Sequence, residues 1–223
     1  MTLHNLTPGE AVAGTVAMAL MIVQLGLLRS VVVVELITIY AIQSLLVGLV
    51  CFAIGVIEHA WDLMALGIAT IILKVIVLPI YMRIISRGIS SRIELPARIN
   101  VTLSLLIAAA LMGTAILTAA QLPLQTGEFL PKADLATALA IIFTGFLVAI
   151  LRPNALAQVI AFMTLENGLF FGTVTLAPGM PFIVGILILL DVLVALRVFA
   201  ILFNVLVAEQ ASARTHPLQS LRG

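Results

Sequence analysis

Seven uninterrupted apolar runs constrain this chain more than any other feature, because most of them approach the roughly 20 residues that a helix needs to cross a bilayer. They fall near Ala11–Leu28, Val31–Ile57, Leu63–Met82, Val101–Leu122, Leu135–Leu151, Asn154–Thr175 and Phe182–Val207. Composition agrees: 63% of the 223 residues are hydrophobic and 9% are charged, about a third of the charged share of a soluble domain. An ordinary soluble protein is excluded, and the short connections leave no room for a separate catalytic domain. The expected fold is an all-α integral membrane protein with about seven transmembrane helices, forming one membrane domain over residues 1–223. Met1–Glu10 has no positive n-region and carries Glu10 before the first run, so that run is expected to remain in the mature protein rather than be cleaved as a signal peptide.

Placement of the charges matters more than their sum of +1. Lys and Arg near span ends are retained on the cytoplasmic side. Arg83, Arg87, Arg92 and Arg98 set the loop after the third run inside, and alternation then puts Arg29, Arg152, Arg214 and Arg222 on the same side. Glu10, Glu58, Asp62, Glu128, Lys132 and Asp134 fall opposite. The expected topology has the N-terminus outside and the C-terminus cytoplasmic.

A faint internal repeat is also readable. With Arg29 laid on Arg152, Leu28 meets Leu151, Ile37 meets Ile160, Leu46 meets Leu169 and Gln43 meets Glu166. With a small shift, Lys74 meets Asp191. Residues 11–85 would then form one three-helix repeat and 135–207 a second in parallel orientation, joined by a connecting helix over 101–122, an arrangement that recurs in transport folds.

Four ionisable residues sit well within apolar runs: Lys74, Glu166, Asp191 and Arg197. A charge at mid-bilayer costs at least roughly 2.5–3.5 kcal/mol, so each must be neutralised, paired or hydrated, and such residues commonly mark proton or ion pathways. Counting ~1.5 Å per residue, Glu166 lies about 18 Å from the inner end of its span and Asp191 about 14 Å from the outer end of its own. A carboxyl there is pulled toward its neutral form by desolvation and toward its charged form by a neighbouring cation, so its protonation follows that neighbour. Lys74 is the natural counterpart, since a buried lysine gives up its proton more readily than an arginine. The competing reading is a static ion pair or a permanently neutral acid. Arg197 lies nearer the inner surface, where its stem can snorkel, and Glu35 is one turn inside its span, where a boundary ion pair with Arg29 is expected. Gln43 and Asn167 can hydrogen-bond between helices. Pro79 should bend the third span beside Lys74, and Gly67 and Gly185 should permit close helix contact.

Absences narrow the function. The chain has no Walker loop, no Gly-rich dinucleotide turn and no histidine in any span. The one cysteine, Cys51, offers no disulfide or metal cluster and is expected to serve packing. No catalytic centre, metal site or cofactor of the chain's own is expected, and nothing points to nucleic acid.

Tyr40-Ala-Ile-Gln-Ser44, Lys74-Val-Ile-Val-Leu-Pro79, Gln121-Leu-Pro-Leu124, Arg152-Pro-Asn-Ala-Leu156 and Met163-Thr-Leu-Glu-Asn-Gly168, together with Asp191, resemble the hydrogenase-4 component E family nearly end to end. Spans five to seven are similar to the K subunit of respiratory complex I and the C subunit of multisubunit cation/proton antiporters, with Glu166 and, more loosely, Asp191 on that family's helix carboxylates. The resemblance implies a non-catalytic membrane-arm subunit of a formate-hydrogenlyase or [NiFe]-hydrogenase-type complex in the bacterial plasma membrane. It implies antiporter-like subunits and a peripheral hydrogenase arm as partners, the latter holding the nickel-iron centre and iron–sulfur clusters. On this reading Glu166, Asp191 and Lys74 pass or gate protons or cations, or transmit charge changes. A scaffold that joins larger membrane subunits without conducting ions is the main rival.

Overall fold

The computed structural model describes residues 8–30, 32–86, 99–122, 132–153 and 155–176, with 185, 190–201, 204–205 and 208. Among them lie seven helices and no strand. In chain order these are α1 (Pro8–Arg29), α2 (Val33–Ile57), α3 (Trp61–Ser86 in three parts, below), α4 (Val101–Gln121), α5 (Lys132–Leu151), α6 (Ala155–Leu176) and α7, described over 190–201. Among the described residues five helices, α1 to α5, are long and apolar enough to cross a membrane. Arg87, Arg92, Arg98, Glu128, Arg214 and Arg222 lie outside the described residues, as does much of the seventh apolar run.

Local chemistry sets the boundaries. Asn100 caps α4 by accepting from the Leu103 amide at 2.8 Å, satisfying one of the free donors of the first turn. At the end of α2, His59 takes φ 54°, the Ala60 amide donates back to Gly55 O at 2.9 Å and the His59 amide to Val56 O at 3.4 Å. These bonds form a Schellman closure, with histidine in the left-handed position usually given to glycine. The tight turn sends α3 straight back along α2. Contact is close enough that a Cβ on Gly67 would lie 2.7 Å from Phe52 N and 2.9 Å from Gly48 O, so the expectation for Gly67 holds. Gly185 differs, since a Cβ there would meet Leu66 at an ordinary 3.5 Å.

α5 and α6 form a hairpin that packs against the hairpin of α1 and α2, α1 on α5 and α2 on α6, while α4 lies on α5 and touches α1. The two hairpin turns are tied together by Arg152, whose buried guanidinium donates to Leu28 O at 3.1 Å and Ser30 O at 2.5 Å. Arg83 Nη2 donates to Thr38 Oγ1 at 2.9 Å. Arg29, Arg83 and Arg152 thus gather at one end of the bundle, with Glu58, Asp62 and Asp134 at the other.

Most of the apolar core lies in two clusters, with a small third formed by Ala119, Leu135 and Ala136. One cluster, at the arginine end, contains Leu27, Tyr40, Leu78, Leu147 and Met163. The other contains Leu20, Val47, Leu66, Ile141 and Phe170. On every one of these helices a buried polar side chain falls between the two: Gln24 on α1, Gln43 and Ser44 on α2, Thr70 and Lys74 on α3, Thr144 on α5, Thr164 and Asn167 on α6. The bundle therefore carries a polar layer across its width, sealed above and below by aliphatic and aromatic packing. Cys51 is free and buried in the second cluster, as packing requires.

Candidate functional site: a buried ion pair in a polar layer

Lys74 lies inside a seven-residue π-helix, Ile71–Val77, set between the α-helical segments Trp61–Thr70 and Leu78–Ser86. The expected bend at Pro79 takes this form, and the cause is local. The Leu78 amide donates five residues back to Leu73 O, so it is not available to the Lys74 carbonyl four back. Pro79, the next donor position that could serve that carbonyl in the π register, has no N–H. The backbone around Lys74 is consequently wider than an α-helix and less completely bonded, as π segments at functional sites commonly are.

The side chain of Lys74 is fully buried. Its ammonium pairs with Glu166 Oε1 and donates to Asn167 Oδ1 at 3.3 Å. Two acceptors on consecutive residues of α6 therefore share one cation. Asp191 lies next to Glu166 and within electrostatic reach of Lys74. Lys74, Glu166 and Asp191 come together from α3, α6 and α7. The Tyr40 hydroxyl on α2 faces the same group, beside Ser44.

Burial falls off in one direction. Lys74 is sealed, the Glu166 side chain is 17% exposed, and Asp191 stands on the exposed side of α7. In the other direction Asn167 Nδ2 donates to Ser44 Oγ at 2.9 Å and to Gln43 Oε1 at 3.5 Å. Gln43 Nε2 donates to Gln24 Oε1 at 2.8 Å, and Gln24 Nε2 to Thr144 Oγ1 at 2.6 Å. Gln43 and Asn167 thus bond between helices as expected. Gln24, Ser44 and Thr144 are added by the structure; their signal in the sequence is a polar residue at the same depth in each span.

Two other sequence candidates stand apart. Glu35 is exposed at the start of α2 and accepts from Ser30 Oγ at 2.7 Å rather than pairing with Arg29. The reason is position: Ser30 sits in the turn over the first residues of α2, whereas Arg29 still belongs to α1. Arg197 is exposed on α7. Among the described residues no group of three or more His, Cys, Asp or Glu could hold a metal ion.

The class the fold defines is an all-α bundle, organised around a buried Lys–Glu pair, in which five of the described helices are long and apolar enough to cross a membrane. The protein is 30% identical over 170 residues to the uncharacterized protein Rv0085 of Mycobacterium tuberculosis, covering 75% of this chain and 76% of that relative, and the chain belongs to the same family. It is also distantly homologous to Hydrogenase-4 component E of Escherichia coli K12 and of Shigella flexneri, at 27% identity over 186 residues, 82% of this chain and 85% of each relative. No family model matches, and no solved structure does.

Proposed function

We propose that this protein is a membrane subunit of a hydrogenase-type complex and takes part in moving protons or cations across the membrane, coupled to redox chemistry held in partner subunits. The observation that carries the reading is the convergence of Lys74, Glu166 and Asp191 beside a π-helical segment. An ammonium shared between a carboxylate and an amide, with a second carboxyl next in line, is a chain in which one group's charge controls the next. The homology to Hydrogenase-4 component E supplies the setting, and the finer likeness of the last three helices to the complex I K subunit belongs to the same proposal.

Two features support partners on defined faces. The gathering of Arg29, Arg83 and Arg152 at one end supports a cytoplasmic orientation of that end, since basic residues near span ends are retained inside. Asp191 on an exposed helix face would be costly against lipid at mid-depth, so that face is expected to meet a neighbouring subunit, on this reading an antiporter-like one. The nickel-iron and iron–sulfur groups belong to other chains of the assembly.

Proton translocation by the assembled complex in sealed liposomes tests this, comparing wild type with Glu166→Gln at matched assembly. Translocation should fall while turnover of the catalytic arm with an artificial electron acceptor survives. Unchanged translocation would overturn the conducting role and leave a scaffold, which the close glycine-lined packing of α2 on α3 also suits.

A further inference from the structure

The polar layer has a direction. Followed outward from Lys74, every hydrogen bond runs the same way: ammonium to Asn167 Oδ1, Asn167 Nδ2 to Gln43 Oε1, Gln43 Nε2 to Gln24 Oε1, Gln24 Nε2 to Thr144 Oγ1, and the Thr144 hydroxyl to Ala140 O at 2.6 Å. All three amides turn their carbonyl oxygens toward the lysine and their NH2 groups away. An ammonium has three donors and no acceptor, so it dictates this sense. All five side chains are at most 1% exposed, and aligned hydrogen bonds in such surroundings polarise one another.

A neutral lysine amine has a lone pair and can accept. If each amide then turns over, Asn167 Nδ2 donates to that amine, Gln43 Nε2 to Asn167 Oδ1, and Gln24 Nε2 to Gln43 Oε1. Thr144 rotates its hydroxyl from Ala140 O to Gln24 Oε1, and Ser44 donates to Asn167 Oδ1. The chain of bonds is remade in reverse, and no proton changes owner. We infer that Asn167, Gln43 and Gln24 form a two-state dipole row whose sense is set by the charge on Lys74, carrying that state across α2 and α1 to Thr144 on α5. The row extends the proposed function by giving it a means of signalling across the bundle, and rests on that reading for its biological use. Its members are positioning residues. The titratable groups that face Lys74 with them are Glu166 on α6 and Asp191 on α7, and Tyr40 on α2 lies within electrostatic reach of those two carboxyls.

The test is side-chain 15N NMR of the full chain in lipid nanodiscs with labelled glutamine and lysine, titrated with pH, the Gln24 signal being assigned by Gln24→Leu. The Gln24 amide should shift with the same midpoint as the Lys74 ammonium. Lys74→Arg should hold Gln24 at its low-pH position throughout. Asn167→Leu should leave Lys74 titrating and abolish the Gln24 shift. The row is overturned if Gln24 stays still while Lys74 titrates, if it still follows Lys74 after Asn167→Leu, or if Lys74 keeps one protonation state over the whole range in which the protein is folded. These signals need no pumping: normal translocation by Glu166→Gln would remove the functional reading alone, and a silent Gln24 in a translocating complex would remove the row alone.

Discussion

The guanidinium of Arg152 reaches the carbonyl of Ser30 at 2.5 Å, fastening the turn between α5 and α6 to the turn between α1 and α2. Replacing Arg152 by Ala leaves that carbonyl and Leu28 O buried without this donor, at about 1–3 kcal/mol for each unsatisfied group. A loss of about 3 kcal/mol in unfolding free energy in detergent is expected. Arg152→Lys should recover only part, because an ammonium lacks the planar fork. Wild-type stability in Arg152→Ala would show that apolar contact and the hydrogen bonds of the polar layer hold the two hairpins without this clamp.

Lys74 and Glu166 should behave as a coupled unit. Removing one partner of a buried ion pair typically costs about 3–5 kcal/mol, and replacing both by apolar residues of similar size restores most of it. Lys74→Met is therefore expected to destabilise strongly, and the double variant Lys74→Met, Glu166→Met to regain much of the loss. A double-mutant cycle measures the coupling. Additive effects would mean that the two charges do not meet in the folded protein.

Glycines on different faces should respond oppositely to one methyl group. Gly67→Ala sets a Cβ against the backbone of α2 and is expected to cost about 1–3 kcal/mol, as overpacking does. A Cβ at Gly113 on α4 meets nothing within 4 Å, and alanine there should stabilise by roughly 0.5–1 kcal/mol through helix propensity. Thermal denaturation of the two variants side by side gives the comparison.

The turn between α2 and α3 offers a gain. His59 occupies the left-handed region at φ 54°, which costs a non-glycine residue roughly 1–2 kcal/mol. His59→Gly should raise the midpoint of thermal unfolding, the added chain entropy of glycine offsetting part of the benefit. A lowered midpoint would mean that the imidazole makes a contact worth more than the backbone strain.

How much of this could be read from the sequence depended on what each residue costs in an apolar run. Lys74, Glu166 and Asp191 stand out because a charge at depth demands a partner, and Gln43 and Asn167 because an amide does so more mildly. Gln24 and Thr144 do not stand out in the same way. A threonine in a helix satisfies itself on the preceding turn, as Thr144 does on Ala140, and a lone glutamine near a span end attracts little notice. Only a comparison of depths across five helices exposes the layer. Pro79 signalled a discontinuity in α3 but not its form, since a bend and a widened turn both relieve a missing N–H. The partner of Glu35 depended on the path of a three-residue turn, which apolar periodicity does not specify.

The π-helical stretch of α3 also fixes the rotational phase between its two ends. At 3.6 residues per turn, taking one residue out of a helix swings everything beyond it by about 100°. A single deletion within Ile71–Val77 could bring α3 closer to ideal α-helical geometry and would still be ruinous, because Gly67 lies against α2 before the stretch, Lys74 faces Glu166 within it and Arg83 reaches Thr38 beyond it. The irregular turns act as a spacer in angle rather than in length, letting one helix serve two neighbours that a regular helix could not address together.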